Sequence, residues 1–141
     1  MANLILKEET PDRLVYITNP DNRKGNIFTN LFKKDKSETT IILDLRYQKI
    51  TSSKTNPKRL VEQTELHLNN VKNITLFSVD YSPMPENQWP SVVAFTLLDD
   101  SSFVFNTGRR DEMKPMADKI SELIEKSVEG KIVFTPKDFP K

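Results

Sequence analysis

The chain has 141 residues, with 21 Lys and Arg against 20 Asp and Glu, a net charge of +1, three glycines and no cysteine. That length sets one domain able to bury a core without a metal or a disulfide. The missing cysteines exclude disulfide frameworks, thiolate metal sites and cysteine nucleophiles, and the balanced charge excludes the basic excess of a nucleic-acid binder.

The N-terminus, "MANLILKEETPDR", carries an apolar run of only Leu4, Ile5 and Leu6 with acids right behind it. This is no secretory signal, and no window approaches the roughly 18 apolar residues of a membrane span. A soluble, cytoplasmic protein is the expectation. After Pro11, "RLVYITN" (Arg13 to Asn19) reads as a strand of β-branched and aromatic residues, broken by Pro20 and Gly25.

The next stretch, "KGNIFTNLFKKDK", puts Ile27, Phe28, Leu31 and Phe32 among basic residues. Their spacing forms one face of a short helix, with Lys33, Lys34 and Lys36 at its end. Such an element can lie on an anionic membrane, where each basic residue contributes about 1 kcal/mol. The same side chains can dock on a protein partner or a second copy, or pack on the domain's own sheet. All three readings stay open at this point.

"TTIILDLRYQKITSS" predicts a hairpin, its turn at Arg46 to Gln48 and its return through Ile50. "NPKRLVEQTELHLNN" fits either a helix capped by Asn56 and opened by Pro57 or a strand using Leu66 and Leu68. "NITLFSVDYS" and "SVVAFTLL" predict strands covered on both faces, since Val93, Phe95 and Leu97 oppose Val92, Ala94 and Leu98. They are joined by "YSPMPENQWPS", which holds three prolines and the single tryptophan, Trp89. A proline-stiffened loop loses little entropy on binding and Trp is a frequent hot-spot residue, so Trp89 is a candidate partner contact; folding back on the domain is the competing reading.

"DDSS" is a turn into "FVFNTG", in which Asp99 and Asp100 serve as turn residues and not as a cation site. "TGRRDEMKP" places Thr107, Arg109 and Arg110 just before a helix, where an anion is favoured; Asp111 and Glu112 compete for the same groups. Met113, Met116, Ala117, Ile120, Leu123, Ile124 and Val128 then recur at helical steps. Asp111 is the expected N-cap and Gly130 the expected stop, with 130–141 as an extended tail.

Nucleotide-loop, hydrolase and metalloprotease motifs are all missing, and the lone His67 has no partner histidine. The chain therefore reads as a non-enzyme, without cofactor or metal.

One resemblance joins these elements. The hairpin with Asp44, Arg46 and Ile50, the strand entry with Val71 and Ile74, and the hairpin with Leu98, Asp100 and Phe103 are followed by a terminal helix. Over Leu14 to Val128 this resembles the pleckstrin-homology-like domains of bacteria, in particular those on short cyanobacterial proteins. The resemblance implies a mainly β (α+β) fold, a strongly bent antiparallel sheet or partly open barrel with one C-terminal amphipathic helix. It makes the 57–68 segment a strand and gives a single domain over 1–141 with its core at about 13–129. Such domains bind a lipid headgroup, a peptide or another copy of themselves. This chain departs from them in lacking N-terminal transmembrane helices. Leu14 to Thr18 and Thr40 to Leu45 also hold no Lys or Arg, so specific phosphoinositide recognition is not expected.

The function expected is a non-catalytic binding or assembly module for a protein partner or for itself, with peripheral contact to an anionic membrane surface as an added element. The alternative is a barrel enclosing a small ligand, its cavity lined by Phe77, Phe95, Phe103, Phe105 and Trp89, with His67 or Tyr47 as the polar group.

Overall fold

The structure, a computed structural model, describes residues 3–19, 38–56, 59–81 and 83–133. It forms two compact units, one from Asn3 to Leu68 and one from Asn69 on.

The first unit is a five-stranded antiparallel meander: β1 (Leu4–Thr10), β2 (Arg13–Thr18), β3 (Glu38–Asp44), β4 (Lys49–Asn56) and β5 (Arg59–His67), in that spatial order. Its register sorts the sequence into two faces. Leu14 pairs with Leu43 and Leu43 with Ile50, while Tyr16 pairs with Ile41, so these side chains share one face, and all are buried. The opposite face carries the buried Val15 together with Ile17, Ile42, Thr51 and Glu65, which are half-buried to exposed. Burial holds the Tyr16 phenol well above its ordinary ionisation range, and the nearby Glu9 carboxylate adds to the shift. The β3–β4 turn places Gln48 at φ 53, and its side chain donates back to the Leu45 carbonyl at 2.7 Å.

In the second unit, β6 (Val71–Val79), β7 (Pro90–Leu97) and β8 (Ser102–Arg109) are antiparallel neighbours. Helix α1 (Arg110–Ile124) follows β8 at once, and β9 (Val128–Val133) returns to pair with β6 in parallel, giving the order β8-β7-β6-β9. Pairing of Ile74 with Phe95 and of Leu76 with Val93 puts these four on one face. Met113, Ala117, Ile120 and Ile124 form the buried stripe of α1, which packs on β6, β7 and β8. Asn106 on β8 marks the same face, since its amide donates to the Met116 sulfur at 3.1 Å. Phe95 and Phe105 meet edge to face at 5.5 Å.

The mainly β class, the C-terminal helix and the strand at 59–67 are as expected. The sheet is not one: the strands form two separate sheets, and no ladder among the described residues closes a barrel. Two strands were not foreseen. Leu4–Thr10 is β1 rather than a stretch before the core, and Gly130–Val133 belongs to β9 rather than to the tail. The helix also starts and stops elsewhere. Its N-cap is Arg109, not Asp111, because β8 runs directly into it and Glu112 accepts the Arg109 backbone N–H at 3.1 Å. Its C-cap is Glu125 at φ 57, so Val128 leaves the helical stripe and pairs with Ile74.

Candidate functional site

The β6–β7 connection and the first turns of α1 form one polar corner of the second unit. Leaving β6, the chain turns at Tyr81, where the Met84 N–H donates to the Tyr81 carbonyl at 2.9 Å. Pro83 and Pro85 fix φ on either side of Met84, and Glu86–Gln88 makes one 3-10 turn. The Trp89 indole Nε1–H then reaches back to the Met84 carbonyl at 2.9 Å, clasping the loop across its own base. Trp89 is half-buried, whereas Tyr81 and Met84 are 52% and 41% exposed. The loop thus spends its tryptophan on internal bracing and presents the other two side chains.

Arg110 ties this loop to the sheet. Its backbone N–H donates to the Trp89 carbonyl at 2.9 Å, and its Nη1 donates to Ser78 Oγ at 2.6 Å. Ser78 and Ser91, a cross-strand pair, lie 2.8 Å apart through their hydroxyls, and Ser91 Oγ donates to the Trp89 carbonyl at 3.1 Å. Because the guanidinium can only donate and the Trp89 carbonyl, which can only accept, takes the single Ser91 proton, the chain has one direction: Arg110 to Ser78, Ser78 to Ser91, Ser91 to Trp89. Both hydroxyls are buried, at 0% and 2% exposed, so each needs the partner it has. On its outer side the Arg110 guanidinium meets Glu86 at 3.6 Å.

An open groove of about 550 Å³ runs along this corner, lined by Glu86, Asn87, Arg110, Asp111, Lys114, Pro115 and Asp118. Lys114 pairs with Asp118 at 3.7 Å, Arg110 with Glu86 and Asp111 with Arg109, so the groove shows alternating charge whose carboxylates are each met by a cation.

The anion candidate is split by this geometry. Arg109 turns to Asp111 at 3.1 Å, and Arg110 turns inward to Ser78. Thr107 pairs with Val92 and Gly108 with Ser91, so Thr107 lies on the opposite sheet face from the serines. Ile27, Phe28, Leu31, Phe32, Lys33, Lys34 and Lys36 lie outside the described residues. Of the candidate cavity groups, Phe95 and Phe105 are buried against each other and Phe77 is half-buried with Lys131 Nζ 5.7 Å above its ring. Tyr47 and His67 are exposed. Sequence reading missed the role of Arg110 as a brace. The signal was present in "LFSV" and "WPSV", where a serine stands inside each apolar strand and must find a hydrogen-bond partner.

Among the described residues no group of three or more His, Cys, Asp or Glu side chains is placed to hold a metal ion. Among them, too, no helix is long and apolar enough to cross a membrane. Comparison of the chain with protein-family models, with curated proteins and with solved structures finds no match.

Proposed function

We propose that this chain is a non-catalytic binding module of pleckstrin-homology-like type, taking a protein or peptide partner at the β6–β7 loop and the adjoining groove. The observation that carries this reading is the bracing of the loop. Prolines, the Trp89–Met84 clasp and the Arg110 tie hold it in one shape while Tyr81 and Met84 face solvent. A surface ordered in advance loses little entropy on binding, and Tyr and Met are the adaptable apolar contacts of recognition sites. The groove beside it supplies alternating charge suited to a polar peptide backbone and mixed side chains. The order of antiparallel strands followed by one amphipathic helix supports the family part of the proposal. Contact with an anionic membrane through Phe28, Phe32 and the lysines that follow is a separate part of it.

A displayed random-peptide library panned against the wild-type chain and against Tyr81→Ala/Met84→Ala tests the loop. Peptides enriched on the wild type should lose at least about tenfold in affinity, roughly 1.4 kcal/mol, on the folded double variant. Binders indifferent to both substitutions, or no enrichment at all, would remove the loop from the proposal. Co-sedimentation with neutral and anionic vesicles, on the wild type and on Phe28→Asp/Phe32→Asp, tests the membrane part. Salt-sensitive binding to anionic vesicles that the variant loses would support it, and no binding would end it.

A further inference from the structure

Strand β9 is held differently from every other strand. It is the one parallel partner among the described strands, and it sits at the edge of its sheet. Glu129, Gly130, Lys131 and Ile132 are all exposed, while its neighbour β6 buries Ile74, Leu76, Ser78 and Val79. The side-chain pairs seen between the two lie at the surface, Asn73 with Glu129 at 3.2 Å and Lys131 over Phe77. The backbone ladder from Ile74 with Val128 to Val79 with Val133 runs beside them.

The connection from α1 to β9 is short and strained. It consists of Glu125, Lys126 and Ser127, and Glu125 adopts φ 57, ψ 40, the left-handed conformation that crowds a residue with a Cβ. Ser121 Oγ donates to the Lys126 carbonyl and Ile74 N–H to the Ser127 carbonyl, which hold the bend. Against this, the apolar steps Ile120, Ile124 and Val128 continue the helical repeat straight through the bend. A helix longer by one turn would satisfy that repeat, relieve Glu125 and carry β9 away from its own β6.

We infer that β9 is an exchangeable strand and that its alternative seat is beside β6 of a second copy of this chain. The vacated edge of β6 is already complementary to one sequence, that of β9, in the register from Ile74 with Val128 to Val79 with Val133. A second copy reproduces each pair, including Asn73 with Glu129, and reciprocal exchange closes a two-fold dimer with no open edge added. Strand exchange at β9 does not involve the β6–β7 loop.

The chain has no cysteine, so single cysteines report the exchange directly. Asn73→Cys and Glu129→Cys proteins are mixed over a range of concentrations and treated with a short bis-maleimide. Exchange should give a covalent dimer from the mixture and none from either protein alone. Its yield should rise with concentration and fall several-fold when both proteins also carry Glu125→Gly, which relaxes the closed bend. Circular dichroism checks that each variant is folded. The double variant Asn73→Cys/Glu129→Cys supplies the reference for a closed chain. Only intramolecular product from that double variant, with no dimer from the mixture, would overturn the inference. A dimer whose yield ignores Glu125→Gly would overturn it as well, since the exchange would then not run through the bend.

Discussion

At the scale of single residues, Arg110 shows how one side chain sets the geometry of a whole loop. Among the described residues it is the donor that starts the Ser78–Ser91–Trp89 chain, and its side chain is just 18% exposed. Arg110→Ala takes from the buried Ser78 hydroxyl its charged donor, while Ser91 keeps both of its partners, and should destabilise by about 1–3 kcal/mol in urea unfolding. The same substitution removes the Glu86 pairing and the tie to Ser78 while the backbone bond to the Trp89 carbonyl stays, so the loop loosens and Trp89 fluorescence should shift to the red before global unfolding begins. Unchanged emission together with unchanged stability would show that the brace is ornamental. Tyr16 makes a second residue-level prediction, with a definite sign. Its folded form keeps the phenolic proton more firmly than the unfolded chain, whose phenol has the ordinary value of 10.0. The stabilisation is therefore complete below that pH, and it declines as pH rises above it because the unfolded chain releases the proton first. The urea midpoint of the wild type should fall more steeply with pH in that alkaline range than that of Tyr16→Phe. Parallel slopes would remove Tyr16 as the cause.

At the scale of elements, legibility followed the number of faces a segment buries. β6 and β7 bury both faces, so their apolar runs were plain in the sequence; the β3–β4 hairpin was plain because Leu43 and Ile50 share one face across a polar turn. The two strands that escaped notice are both edges. β1 carries Lys7, Glu8 and Glu9 outward and shifts register between Leu6 and Glu8, which breaks its alternation. β9 contains Gly130 and lies under the continuing helical repeat of α1. Edge strands guard themselves with charge, and the same charge hides them from a hydrophobic pattern. The helix is the opposite case, a stripe so regular that it was read one turn too far. Its energetics should be just as one-sided. Ile120→Ala, at a fully buried position against the sheet, should cost about 2–5 kcal/mol, whereas Glu122→Ala on the exposed face should stay within about 0.5 kcal/mol. Equal effects in urea unfolding would mean that α1 does not use this stripe.

At the scale of the whole molecule, length argued for one domain, while the contacts divide the chain into a unit at Asn3–Leu68 and another from Asn69 on. Sequence could not anticipate the division, because Leu68–Asn70 is a single short 3-10 turn with neither proline nor glycine to mark a boundary. The β6–β7 loop was legible as a candidate surface from its prolines and Trp89. The exposure of Tyr81 and Met84 beside a half-buried Trp89 was not, since it depends on which aromatic the loop spends on its own clasp. Whether the two units unfold together is a matter of size. A domain of about 60 residues buries only about 60% of its unfolded surface and is marginal by itself, whereas one of about 150 buries close to 70%. The single-domain expectation therefore predicts one cooperative transition. Trp89 fluorescence reports the second unit, and hydrogen exchange at the β2 and β3 amides reports the first. Under increasing urea the two signals should give the same midpoint and the same slope. The Ile120→Ala lesion, made in the second unit, should lower protection of β3 in the first by the same free energy. Separate midpoints, with β3 protection untouched by Ile120→Ala, would make each unit a domain in its own right.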